Sequence, residues 1–283
     1  MLPLVLSTLS IACIGALATP LDFSLERRAP ATIYAACTTP DTVAVTFDDG
    51  PHIYLDEIVN TLDAAGAKGT FFFNGNNFGC IYATENIPRI KNAYDRGHQV
   101  ASHTWAHKDL ATLTWDEIND EMWRVEGKSE ALLRIVGASA AFMRPPFGSY
   151  NVLVLEASGA RRQSIAIWDF DSRDTAGATA QESKDLYDDI ANQRPSTILT
   201  LNHETRESTA RDVLPYAIQR LQSAGYRLVT LAECVGQPAY QSFTTPGTPD
   251  TYLLIDALVG LLGMLMGMPV RFPRSTHEYD PGP

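Results

Sequence analysis

The run Thr42-Val43-Ala44-Val45-Thr46-Phe47-Asp48-Asp49-Gly50-Pro51 decides how this chain is read. Thr42 to Phe47 is an apolar, β-branched stretch that ends abruptly in two adjacent carboxylates, and Gly-Pro then turns the chain. Alternate residues of a strand face opposite ways. One carboxylate is therefore placed to bind a metal while its neighbour stays free for proton transfer. A strand-ending turn with two solvated acids has the same sequence, so the rest of the chain must decide.

Ser102-His103-Thr104-Trp105-Ala106-His107 supplies the next piece. Histidines four apart share one side of a helical turn, so His103 and His107 are expected to converge on one cation with Asp49 as third ligand. Two imidazoles and a carboxylate suit borderline-soft Zn²⁺, with Co²⁺ or another divalent metal as a substitute. Three protein ligands leave a fourth position for water, the pattern of a catalytic site. Two capping or surface histidines would show the same spacing; the doublet and the histidine pair together point to the metal.

Outward from these motifs, short apolar runs alternate with longer amphipathic segments. Strands are expected at residues 42–47, 69–73, 99–102, 141–143, 164–168, 197–201 and 227–230. Helical patterns fall at 55–65, 87–96, 115–136, 150–158, 183–192 and 210–224, several closed by glycine: Gly66, Gly97, Gly137, Gly159 and Gly225. This is an α/β chain of repeated βα units. Asp48, Asp49, Asn74, His103, Arg144, Asp171 and His203 all fall at or just past strand C-terminal ends, which favours a (β/α) barrel over an open sheet with one switch point.

Residues 38–235 read as a single catalytic domain. Met1 to Ala18 has an apolar core and ends Ala16-Leu17-Ala18, a small-x-small ending that reads as a signal peptide and a secreted, extracellular or cell-wall protein. Residues 19–37 are expected to be a propeptide and N-terminal segment, with Arg27-Arg28 resembling a dibasic processing site. Residues 236–252 are linker-like and 253–283 an atypical apolar tail, too interrupted by Asp256 and Pro269 for a clear membrane span. Secretion permits disulfides. Cys37 precedes the first strand and Cys234 follows the last, so that pair is expected to bridge and Cys80 is left over. A net charge of −11 over 283 residues makes nucleic acid and anionic membrane poor partners, and a monomer is expected.

Three further segments complete a pattern: Arg144-Pro145-Pro146-Phe147-Gly148-Ser149-Tyr150, Asp171-Ser172-Arg173-Asp174 and Leu201-Asn202-His203. In order, TFDDGP, HTWAH, RPPFGSY, DSRD and LNH resemble the five motifs of the polysaccharide deacetylase family, carbohydrate esterase family four, with most likeness to fungal chitin deacetylases. The resemblance implies a distorted (β/α) barrel of about seven parallel strands and zinc-dependent hydrolysis of N-acetyl groups on N-acetylglucosamine polymers. It makes Asp49, His103 and His107 the metal ligands, Asp48 the general base and Arg144 the residue that orients and ionises it. It makes His203 the general acid, supported by Asp174, and places Leu201 at the acetate methyl pocket, with the Tyr150 N–H at the oxyanion and Asp171 among the substrate-binding residues. The same machinery would cleave the esters of acetylated xylan, and a catalytically weak wall-binding protein is the third alternative. One departure stands out: the family's usual Trp after the second Asp of the fourth motif is here Thr175, which removes an aromatic face from the sugar groove.

Overall fold

The opening run forms two short strands rather than one, because its two halves have different neighbours. The computed structural model describes residues 29–126 and 131–248. In chain order the elements are β1 (Ile33–Tyr34), β2 (Thr42–Ala44), β3 (Thr46–Gly50), α1 (Leu55–Ala64), β4 (Thr70–Phe73), α2 (Asn86–Asp95), β5 (Gln99–Ser102), α3 (Trp115–Glu126), α4 (Ala131–Val136), β6 (Ala138–Ala140) and β7 (Phe142–Met143). There follow α5 (Val152–Ala160), β8 (Ser164–Ala166), β9 (Phe170–Asp171), α6 (Ala180–Gln193), β10 (Thr197–His203), α7 (Leu214–Ser223), β11 (Arg227–Val229), α8 (Leu231–Val235) and β12 (Tyr240–Phe243).

All pairings in the main sheet are parallel. β3, β4, β5, β7 and β8 lie side by side in that order, and β10 flanks β3 on its other edge. From β8 the chain runs through residues 167–169 straight into β9, which pairs with β10 at Phe170↔Thr200 and Asp171↔Leu201. That pairing closes the ring into a distorted barrel. β2 and β11 continue β10 at the other end, and β1 extends β8.

Helices cover the outside with apolar faces at helical spacing. α1 buries Leu55, Ile58, Val59 and Leu62, each worth about 2 kcal/mol on removal from water. Against α1, Phe47, Phe71 and Phe73 stack in a row with centroids 5.2 Å and 6.0 Å apart, while Phe72, on the alternate face, packs with Ala101, Phe142 and Leu199.

The helical pattern 115–136 is described as α3 and α4, with residues 127–130 between them outside the described residues. Three local expectations change. Gly66, Gly97, Gly137 and Gly225 adopt the positive φ of helix-closing glycines, but Gly159 lies inside α5, where a Cβ would stand 2.2 Å from the Ala29 carbonyl oxygen. His103 and His107 occupy the loop after β5, not a helical turn; positive φ at Thr104 (70°) and His107 (54°) folds that loop back on itself. Part of the linker-like stretch is structured, since β12 pairs antiparallel with β6 and the Tyr240 hydroxyl oxygen accepts the Val100 N–H at 3.1 Å.

Cys37 and Cys234 are bonded, and the Thr38 and Thr39 N–H groups both donate to the Cys234 carbonyl at 2.9 Å, tying the start of the barrel to α8. Cys80 is a half-buried free thiol whose pKa burial raises. No described helix is long and apolar enough to cross a membrane. The expected signal peptide and apolar tail lie outside the described residues.

Candidate active site

Strand C-terminal ends deliver the candidate residues to one face of the barrel. β3 carries Asp48 and Asp49; the loop after β5 carries His103 and His107; β7 runs directly into Arg144; β10 ends in His203. Strain concentrates here. Among the described residues eight non-glycines have positive φ, and five of them, Asp49, Thr104, His107, Phe147 and Arg173, belong to this face, a distribution typical of functional rather than structural strain.

Asp49, His103 and His107 offer one ligand atom each within 4.8 Å of one another. The Asp49 Oδ1 lies 3.2 Å from His107 Nε2 and 3.7 Å from His103 Nε2. The donor set fits a divalent cation on a second count. His103 Nδ1 lies 2.8 Å from the Arg144 carbonyl oxygen, which fixes its proton there and turns the Nε2 lone pair towards Asp49. Burial keeps this imidazole neutral, lowering its pKa against the pull of Asp48 and Asp49. The Asn77 amide donates to Asp49 Oδ1 at 3.3 Å and to Asn74 Oδ1 at 3.1 Å, while Asn74 itself donates to the His103 and Thr104 carbonyls.

Beside this group Asp48 is gripped by Arg144, whose Nη1 donates to Asp48 Oδ1 at 2.8 Å. The other carboxylate oxygen, Oδ2, faces His103 at 3.7 Å. On the neighbouring strand β10, His203 Nδ1 lies 2.7 Å from Asp174 Oδ1, and Asp174 Oδ2 accepts both the His203 N–H and the Thr209 hydroxyl at 2.7 Å. Burial lowers the His203 pKa, but the bond to Asp174 and the charges of Asp174, Asp48 and Asp49 outweigh it and leave the imidazole a weaker acid than usual. The site thus joins three donors that could hold a metal, a carboxylate bound by a buried guanidinium and a histidine biased towards its cation.

Leu201 is buried beside Asp171 in the β9–β10 register. Asp171 Oδ1 accepts the Arg173 N–H at 2.7 Å and so shapes the loop that brings Asp174 to His203. Tyr150 sits at the surface, and within its loop it is the Phe147 ring that meets His107, edge-on at 4.7 Å. Thr175 Oγ1 lies 3.4 Å from His203 Nδ1. Sequence reading left several participants unremarked. Phe147 carried a signal, its place inside the RPPFGSY motif. Glu204 carried none: it is sealed under the Asp48–Gly50 turn, accepting the His52 N–H at 2.7 Å, and burial raises its pKa well above the carboxylate range.

Comparison with known proteins gives this geometry a family. The polysaccharide deacetylase profile matches residues 35–161. A chitin deacetylase of Pestalotiopsis sp is 33% identical over 239 residues, covering 82% of this chain and 76% of that protein. The chain belongs to the polysaccharide deacetylase family. The fold agrees: the structure of the chitin deacetylase of the fungal pathogen Colletotrichum lindemuthianum superposes with a TM-score of 0.70 at 30% identity, covering 76% of this chain and 96% of that one. A probable peptidoglycan-N-acetylglucosamine deacetylase of Arthroderma benhamiae is 32% identical, and there this polysaccharide deacetylase spans about half of its relative, 48%. The chain is accordingly a deacetylase, a hydrolase built on the barrel described above.

Proposed function

We propose that this deacetylase is secreted, depends on a divalent metal, and removes N-acetyl groups from N-acetylglucosamine residues of chitin or chitooligosaccharides, releasing acetate. The observation that carries the reading is the placement of two different proton-transfer devices, Arg144–Asp48 and Asp174–His203, around one three-donor metal group. The names of the Pestalotiopsis and Colletotrichum relatives support chitin as substrate. The leader-like Met1–Ala18 and the Cys37–Cys234 bridge support secretion.

Amide hydrolysis is slow because water is a poor nucleophile and an amine a poor leaving group. A divalent cation, Zn²⁺ by the donor set, held by Asp49, His103 and His107 would polarise the acetyl carbonyl and acidify water. Asp48, held through Oδ1 by Arg144 and keeping Oδ2 towards His103 and the donor group, takes the proton from the attacking water. His203 meets the departing nitrogen through Nε2, since Asp174 engages Nδ1, and gives it the proton it needs to leave. Leu201 receives the acetate methyl, the backbone N–H of Tyr150 faces the oxyanion, and Asp171 shapes the groove through Arg173. The protein is expected to act as a monomer.

The test is acetate release from chitohexaose, with acetylated xylan run in parallel, before and after removal of metal by a chelator. Release from the oligomer should fall at least about a hundredfold on chelation and return with Zn²⁺. Release from xylan alone would overturn the substrate, and activity that survives complete chelation would overturn the role of the metal group.

A further inference from the structure

Arg144 heads the fully buried side chains among the described residues, so every one of its contacts was selected by the fold rather than by solvent. Its Nε donates to the Ala166 carbonyl at 3.3 Å and Nη2 to the Ile167 carbonyl at 2.9 Å. The remaining nitrogen, Nη1, carries two hydrogens and has two acceptors: Asp48 Oδ1 at 2.8 Å and Thr46 Oγ1 at 2.7 Å. Thr46 and Asp48 stand two apart on β3, on the same face of the strand, and together bracket that nitrogen.

A hydroxyl has one proton to give. Thr46 gives its own to the Thr200 carbonyl across the β3–β10 pair, so it presents only a lone pair to Arg144. It is also immobile. Its N–H donates to Thr200 Oγ1 at 3.1 Å and its carbonyl accepts from Asn202 Nδ2 at 3.2 Å. Asn202 is pinned in turn by the Tyr187 hydroxyl at 2.8 Å. The acceptor at 46 is thus fixed to the barrel before the guanidinium meets it.

We propose that Thr46 is a positioning residue for catalysis: its locked hydroxyl sets the roll of the Arg144 guanidinium, and through it the orientation of the Asp48 carboxylate. The proposal rests on the reading of Asp48 as the base. Valine has the shape of threonine and would satisfy a buried strand equally well, so a purely structural Thr46 needs no hydroxyl. With valine the second Nη1 hydrogen is buried without an acceptor, and the guanidinium tilts towards another.

The experiment compares Thr46→Val and Thr46→Ser, each alone and combined with Arg144→Met, in the zinc-loaded full chain. Acetate release from chitohexaose and thermal unfolding are both measured. Thr46→Val should lower kcat about ten- to a hundredfold, the range expected for a hydrogen bond to a charged group, while KM stays within about threefold. Thr46→Ser should recover most of the loss. With Arg144 already replaced, Thr46→Val should cost little further activity or melting temperature, because residues that act through one another are not additive. Full activity in Thr46→Val, a serine variant as poor as valine, or an undiminished valine effect without Arg144 each overturns the proposal. A wild type that releases no acetate overturns the function reading instead, and the unfolding cycle then decides the Thr46–Arg144 coupling alone.

Discussion

Asp48 reaches the site on a strand and is sealed there, its side chain 4% exposed against an Arg144 guanidinium with none. His203, 13% exposed, ends its strand at the surface of the groove, and its partner Asp174 arrives from the loop after β9. The difference suits what each group does in the proposed cycle. A base that must stay ionised in a dry site needs a permanent buried cation, because an unpaired carboxylate there would take up a proton. An acid that changes charge each turnover needs a partner that tolerates both states and a path to solvent for reprotonation. Rigid strands suit the first task, and a strand end with a loop suits the second.

Asp48→Asn strikes the sealed side and has the largest expected effect. Loss of the base should lower kcat about a thousandfold or more, with Zn²⁺ affinity, measured by competition with a chelator, little changed. It also leaves the Arg144 cation buried without its counter-charge, so the unfolding free energy should fall by about 3 kcal/mol. An inactive variant of undiminished stability would show that Arg144 is held by its carbonyl and Thr46 partners and not by Asp48.

Asp174→Asn strikes the open side and should cost less, about ten- to a hundredfold in kcat, but it should change the pH profile. In the wild type the bond and charge of Asp174, together with the charges of Asp48 and Asp49, outweigh burial and raise the His203 pKa, so the cationic acid persists to higher pH than an ordinary histidine. Without that carboxylate, burial is opposed by the charges of Asp48 and Asp49 alone, and the pKa falls. The alkaline limb of kcat/KM should therefore move to lower pH. A limb that stays in place would assign it to another group and remove His203 as the acid.

The two sides also differed in how far the sequence disclosed them. Asp48, Asp49 and Arg144 follow apolar runs short enough to be strands, and a strand end is where a barrel builds its site, so their shared face was readable from order alone. The Thr46 partner of Arg144, 98 residues away, was not; the Asp174–His203 pair, 29 apart, was expected from the resemblance of the motifs alone, because which side chain meets which depends on strand order and register, and no local pattern encodes that. The histidine pair shows the same limit. Spacing of four suggested a helical turn, whereas the imidazoles converge through two left-handed loop residues, Thr104 and His107. The barrel was expected from where the candidate residues fall, but the strand that closes it was not: β9 is two residues long, too short to leave a periodicity.

Thr175→Trp carries the smallest expected effect and sharpens the comparison at its open edge. Thr175 is exposed beside His203, in the loop that supplies Asp174, and lies 3.4 Å from His203 Nδ1, too far and too exposed to govern that imidazole while Asp174 holds it at 2.7 Å. The position therefore has room to change without disturbing the acid. An indole there would give the groove an apolar face for a sugar ring, worth about 1 kcal/mol, which is roughly a fivefold lower KM for chitohexaose. Nothing comparable is tolerated across the site, where Asp48, Arg144 and Thr46 fill a dry interior and any added volume must displace a packed neighbour. The expected result is a lower KM with kcat within about twofold and an unmoved alkaline limb. An unchanged KM would mean that another aromatic already serves that ring, with Phe147, 69% exposed against His107, as the first to replace. A shifted limb would mean that the Thr175 hydroxyl helps set the state of the acid, and the open side would then be less tolerant than its exposure implies.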